Sequence, residues 1–238
     1  MVFRRIAIRL LAALFVAGGG MAGMAVAQAP QPSLQERVAA LKSSFAASQV
    51  ALRQYEWIET TVVSLNGEEK SNKQQRCYYG ADGALQKVLI DASPPPATKP
   101  GLRGRIIANK KAELTDYMQR AVGLVKSYVP PDPSKLQAVK DAGKVSIQML
   151  DPGKRAQLNF HDYQLPGDNL AIAIDITNNI VSGVGVSTYL DSATDVVTLS
   201  ADMGQLNDGT IYTSSVTLNA AAKNLIVTVK NSGYRKTN

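Results

Sequence analysis

One cysteine and one histidine in 238 residues leave little material for the common chemistries of a catalytic or metal site. A structural zinc centre takes four nitrogen or sulfur ligands, which this chain cannot assemble in the usual way. Cys77 has no second cysteine, so no internal disulfide forms and burial alone must hold the fold. A Ser-His-Asp hydrolase would have to use His161. The alternation in Leu158-Asn-Phe-His161 puts Leu158 and Phe160 on one strand face and the imidazole on the other, which reads as a surface or rim position. Cys77 and His161 are one conceivable nucleophile and base. Yet Gln75-Arg76-Cys77-Tyr78 reads as strand, with no helix N-terminus to activate the thiol, and the better reading is a quiet, partly buried one. There is no G-x-S-x-G elbow, and Gly183-Val-Gly185 opens no helix and so is not a dinucleotide loop.

Aromatics are scarce as well, at 6%. Past residue 27 the only phenylalanines are Phe45 and Phe160, and Trp57 is the sole tryptophan. Any stacking platform would have to be built mainly from tyrosine. No apolar run approaches the ~20 residues that span a bilayer. Carboxylates are scattered. Asp191-Ser-Ala-Thr-Asp195 comes nearest to a calcium-like oxygen set, but reads better as a turn served by Asx hydrogen bonds. No metal and no cofactor is implied.

What the chain does have begins at its N-terminus. Arg4, Arg5 and Arg9 precede an apolar core from Leu10 to Val16, and a small-residue run ends in Ala25-Val26-Ala27. This is the pattern of a secretory signal peptide over residues 1–27, leaving 28–238 as one secreted or periplasmic β-rich domain. Losing three arginines lowers the basic count from 26 to 23 against 19 acids, so the net charge falls from +7 to +4. That mild excess does not describe a nucleic-acid binder. The strongest charge feature is segment 103–111, with Arg103, Arg105, Lys110 and Lys111: a solvated face, or a docking surface for headgroups or a partner.

Ser33-Leu-Gln-Glu36 reads as a capping box opening an amphipathic helix through Leu34, Val38, Leu41, Phe45 and Leu52. At Tyr55 the period changes to that of strands. Residues 55–65, a polar return through Cys77 and Tyr79, and 85–90 make a meander, with a tight hairpin at Asn66-Gly67. A proline-rich connector, 92–101, leads to a helix over about 104–128 whose stripe carries Leu114, Met118, Ala121, Val122 and Val125. Pro130-Pro131-Asp132-Pro133 stops it, and a short helix follows from Ser134 to Gly143. From Val145 onward the pattern is strand and turn, with Leu170, Ile172, Ile174 and Ile176 on one apolar face. The fold class is α+β: about ten antiparallel strands and about three helices.

Helix, meander, helical insertion and a run of further antiparallel strands resembles the periplasmic lipoprotein-carrier and lipoprotein-sorting fold. The resemblance rests on element order and compartment, and implies a curved antiparallel sheet, an incomplete barrel with the helices packed on its concave side, that shelters acyl chains. The expected function is therefore a non-catalytic binder or carrier of an apolar or acyl-bearing ligand. Trp57, Leu114, Met118, Val122, Val125, Ile172 and Ile174 are the candidate lining. The alternatives are an envelope protein-interaction module with a filled core and, more remotely, a hydrolase. The mature form should not span the membrane. Exported protein should begin at Gln28, as intact mass will show. A membrane-bound species that keeps Arg4 to Arg9 would mean an uncleaved anchor instead.

Overall fold

The computed structural model describes residues 43, 46–92, 102–178 and 180–237, without the side chains of 102–104, 106, 107 and 133. The signal-like leader, the capping box at Ser33 and most of the proline-rich connector lie outside the described residues. A helical segment over 46–51 (α1) passes through a 3-10 turn, Leu52–Gln54, into β1 (Tyr55–Leu65), β2 (Glu68–Tyr79) and β3 (Leu85–Ala92). Two helices follow, α2 (Leu102–Lys126) and α3 (Pro133–Asp141). Seven strands complete the chain: β4 (Val145–Asp151), β5 (Arg155–His161), β6 (Asn169–Asp175), β7 (Ile180–Tyr189), β8 (Val196–Gln205), β9 (Ile211–Ala220) and β10 (Leu225–Lys236). The architecture is α+β with ten strands and three helices, as the periodicities imply, and a half-barrel, as the resemblance implies.

Local chemistry places the boundaries. Asn66 and Gly67 take φ of 53° and 80°, the left-handed pair that a two-residue hairpin turn demands. The Asp132 side chain caps α3 by accepting from the Ser134 amide at 2.8 Å, with Pro133 in the first helical position where its missing N–H costs nothing. At the far end Gly143 sits at φ 72° and donates to the Lys140 carbonyl, while Lys144 donates to Val139. Those two bonds close α3 as a left-handed cap.

All ten strands form one open antiparallel sheet in the order β3-β2-β1-β10-β9-β8-β7-β6-β5-β4. The chain builds outward from β1 to β3 and crosses to the opposite edge through α2 and α3. It then walks back strand by strand until β10 meets β1, in register from Leu65↔Leu225 to Tyr55↔Lys236 around one bulge.

An unbroken apolar row runs across eight of these strands: Val145, Phe160, Leu170, Val186, Leu199, Leu218, Val227 and Val63 are successive cross-strand partners. The helices pack on this face in two adjoining clusters. Tyr117, Ala121 and Val125 of α2 meet Val197, Leu218, Ala220 and Leu225. Tyr128, with Leu136 and Val139 of α3, meets Phe160, Leu170 and Val186. Steps of four and three residues from 117 to 128 place all four α2-side groups on one helical stripe.

The second cluster closes over a buried carboxylate. Asp168, 2% exposed, accepts from the amides of Tyr163 (2.5 Å), Gln164 (3.0 Å) and Leu165 (2.7 Å), and from the Tyr128 hydroxyl at 2.5 Å. Thr188 Oγ1 lies 2.9 Å from the same hydroxyl. Burial, then the bond to Asp168, pushes the Tyr128 phenol far above its ordinary range. Replacing Asp168 by alanine orphans the three amides and leaves the Tyr128 hydroxyl only Thr188, and should lower stability by about 3–5 kcal/mol. Tyr128→Phe leaves the three amide bonds and should cost only about 1–2 kcal/mol. Urea midpoints of the two variants test this ordering.

Candidate ligand-binding site

Six of the seven candidate lining residues lie in or beside the two helix clusters, and Trp57 lies on the same face but apart from them. Leu114, Met118 and Val122 are half-buried against the α2 cluster, beside Val63, Leu199 and Val227, and Val125 is fully inside it. Ile172 packs with Leu158 and Val184 at the margin of the α3 cluster, and Ile174 lies two positions further along β6, also half-buried. Leu199 touches both clusters, so the two groups join into one strip. Beside the buried row runs a second: Ile147, Leu158, Ile172, Val184, Ala201, Val216, Val229 and Thr61 are again successive partners. Apart from Ala201, these side chains are only half-buried.

Trp57 lies at the other end of β1. Alternation along Trp57, Glu59, Thr61, Val63 and Leu65 keeps it on the helix-bearing face. Its indole stacks on Tyr234 at 5.4 Å and 12°, with Tyr79 at 6.0 Å. Tyr234 in turn meets Tyr212 at 4.4 Å and Tyr55 at 6.4 Å. The Tyr212 ring lies over Gly204, where an added Cβ would come within 2.7 Å of it, so any larger residue would push the ring aside. Tyr55 donates to Asp208 at 2.5 Å, and Lys236 stands 3.4 Å from the same carboxylate. The phenol bond above all holds Asp208 well below the usual carboxylate range.

The sequence pointed to tyrosine for any stacking platform and set Tyr55 and Tyr79 on strands, but it did not bring these rings together, and it missed Tyr117 on α2. The only available hint was the four-residue step from Tyr117 to Ala121. The expectation for Asp191 and Asp195 also needs correction. Instead of serving their own turn through Asx bonds, both carboxylates reach α2: Asp195 accepts from the Tyr117 hydroxyl at 2.5 Å, and Asp191 pairs with Arg120 at 2.9 and 3.1 Å. A turn at the strand surface is the nearest polar partner for a helix lying across it. The Tyr117 phenol rises far above its ordinary range, through burial first and the Asp195 bond second.

Other features of the sequence resolve simply. His161 is exposed, with its Nε2 2.9 Å from Ser146 Oγ. Six strands separate β5 from β2, about 30 Å along the sheet, so His161 and Cys77 cannot act together. Among the described residues no three His, Cys, Asp or Glu side chains converge on a metal-sized point. No described helix is long and apolar enough to cross a membrane. Arg105, Lys110 and Lys111 are exposed on the first half of α2. Where β10 bulges against β1, a cleft of about 220 Å³ opens between Glu56, Trp57, Ile58, Arg76, Gly233 and Arg235. Glu56 is ion-paired with both arginines, so charged groups border this cleft beside Trp57 and Ile58.

Cys77 is 0% exposed, and burial pushes its thiol pKa up, which disfavours the reactive thiolate. Alkylation by a maleimide should be at least roughly a hundredfold slower in native protein than in urea. Fast native labelling, or a disulfide-linked dimer on a non-reducing gel, would contradict the buried position.

No protein-family model and no curated protein matches the sequence. Among solved structures, a LolA superfamily protein of Nitrosomonas europaea is similar at 10% identity over 83% of this chain and 94% of its own, with a TM-score of 0.35. A DUF1329 family protein of Desulfovibrio piger is similar at 7% identity over 82% and 92%, with a TM-score of 0.31. The Pseudomonas aeruginosa MucA/MucB complex gives 9% identity over 84% and 98%, with a TM-score of 0.21. Likeness at this level concerns the outline of the chain and says nothing of a ligand.

Proposed function

We propose that the protein is a non-catalytic, periplasmic binder or carrier of an apolar or acyl-bearing ligand, taken up along the concave face of the half-barrel. The observation that carries this reading is the second apolar row, Leu158 to Val229, left half-buried beside Met118 and Val122 instead of being fully covered by the helices. Aliphatic surface of this kind gains about 0.8 kcal/mol for each ligand methylene it removes from water. The signal-like leader supports the compartment. The separation of the only thiol from the only imidazole supports binding over catalysis.

A second reading, docking to an envelope protein, has one observation in its favour. The edge strand β3 exposes Leu85, Val88, Leu89 and Ile90, the last two by 56% and 54%. Single exposed apolar residues are ordinary, but here they stand close together on an edge strand, Leu85 and Leu89 on one face and Val88 on the other.

Met118 distinguishes a ligand strip from a filled core. Because it is half-buried, Met118→Ala should cost less than about 2 kcal/mol, below the ~2–5 kcal/mol of a fully buried methionine. Met118→Trp should fold, yet displace a fluorescent fatty-acid probe that the wild type binds. Full destabilisation by alanine, together with no probe binding by the wild type, would sink the carrier reading and leave the docking one.

A further inference from the structure

We propose that the aromatic end of the concave face is a headgroup subsite, built for an uncharged, hydroxyl-bearing head such as glycerol or a sugar ring on an acyl chain. The inference rests on the carrier reading and names the polar half of its ligand.

Two buried polar atoms point to it. Trp57, 9% exposed, has an indole Nε1 with no hydrogen-bond partner among the described residues, and Asn231 Oδ1 is buried and equally unpartnered. Folded proteins leave few such atoms unmet. The two belong to one neighbourhood: Asn231 is the cross-strand partner of Glu59, which follows Trp57 by two residues on the same face. The Asn231 amide group cannot be turned round to relieve its oxygen. Its Nδ2 donates to the Thr213 carbonyl at 2.9 Å, a partner that needs a donor.

This region therefore holds one unmet donor and one unmet acceptor. A hydroxyl can answer either, and a diol or polyol both. A carboxylate or phosphate oxygen would satisfy the indole but face the Asn231 lone pairs, and an ammonium would do the reverse. Nearby charge does not alter that preference, because Glu59 is neutralised by Lys87 at 2.6 and 2.7 Å. Tyr79, Tyr212 and Tyr234 are half-buried and offer aromatic faces on which the C–H groups of a polyol can pack. Thr61 and Val229 lie between this cluster and the rest of the apolar row, so one ligand can run from strip to subsite.

Trp57 is the only tryptophan, so tryptophan emission, excited selectively over tyrosine, reports on this subsite alone. Wild-type protein would be titrated, below micelle formation, with monododecanoylglycerol and with dodecanoate. The glycerol ester should bind about tenfold tighter and shift the Trp57 emission. Asn231→Leu and Tyr212→Ala, checked for folding by circular dichroism, should each bring that preference below about twofold while leaving dodecanoate affinity nearly unchanged. Equal binding of both ligands, or binding without an emission change, would overturn the headgroup subsite and leave the carrier reading standing. Binding of neither would overturn the carrier reading itself. A shift produced by glycerol alone would overturn the link to an acyl chain.

Discussion

The antiparallel pairing of β1 with β10 is the constraint on which everything else depends. It joins the N-terminal meander to a seven-stranded sheet built entirely from residues after 144, and it is the one place in the sheet where distant parts of the chain meet. The α2 cluster draws Val63 and Leu65 from one side of this seam and Leu225 and Val227 from the other. The stack of Trp57 on Tyr234 straddles it as well. Without the seam, α2 would lose half its floor and the aromatic cluster would not exist.

Directed bonds then position the layer above the sheet. Tyr55 to Asp208, Tyr117 to Asp195 and Tyr128 to Asp168 are all 2.5 Å phenol–carboxylate bonds. Each runs from a residue at or near a helix to an aspartate in a turn between consecutive strands. Hydrophobic burial fixes depth but not azimuth or translation, because it has no direction. A tyrosine supplies both an apolar ring and a bond of defined geometry. This gives a physical reason for a core with one phenylalanine, Phe160, and several tyrosines among the described residues.

How much of this could be read beforehand follows from the range of each interaction. Strands and turns were legible because their signals are local: alternation through Leu170, Ile172 and Ile174, or the pair Asn66-Gly67. The strip of Leu114, Met118, Val122 and Val125 was legible from helical spacing. Asp168 was not, since its role depends on three amides gathered by one loop and a hydroxyl 40 residues away. Nor was the gathering of Tyr79, Tyr212 and Tyr234 around Trp57. It requires β10 to lie between β1 and β9, and no short-range pattern encodes strand order.

The two free edges of the sheet carry the same irregularity. On β3, Ile90 is an extra residue between the partners of Gln75 and Gln74, and on β4, Leu150 is an extra residue between the partners of Ala156 and Arg155. Each bulge interrupts the regular spacing of outward-facing amides and carbonyls that an incoming strand would need. An open half-barrel could otherwise polymerise edge to edge into fibrils. Here the backbone ladder is spoiled at both ends while the side chains of β3 remain on offer, so a partner seeking this edge must recognise its side chains and not extend its sheet.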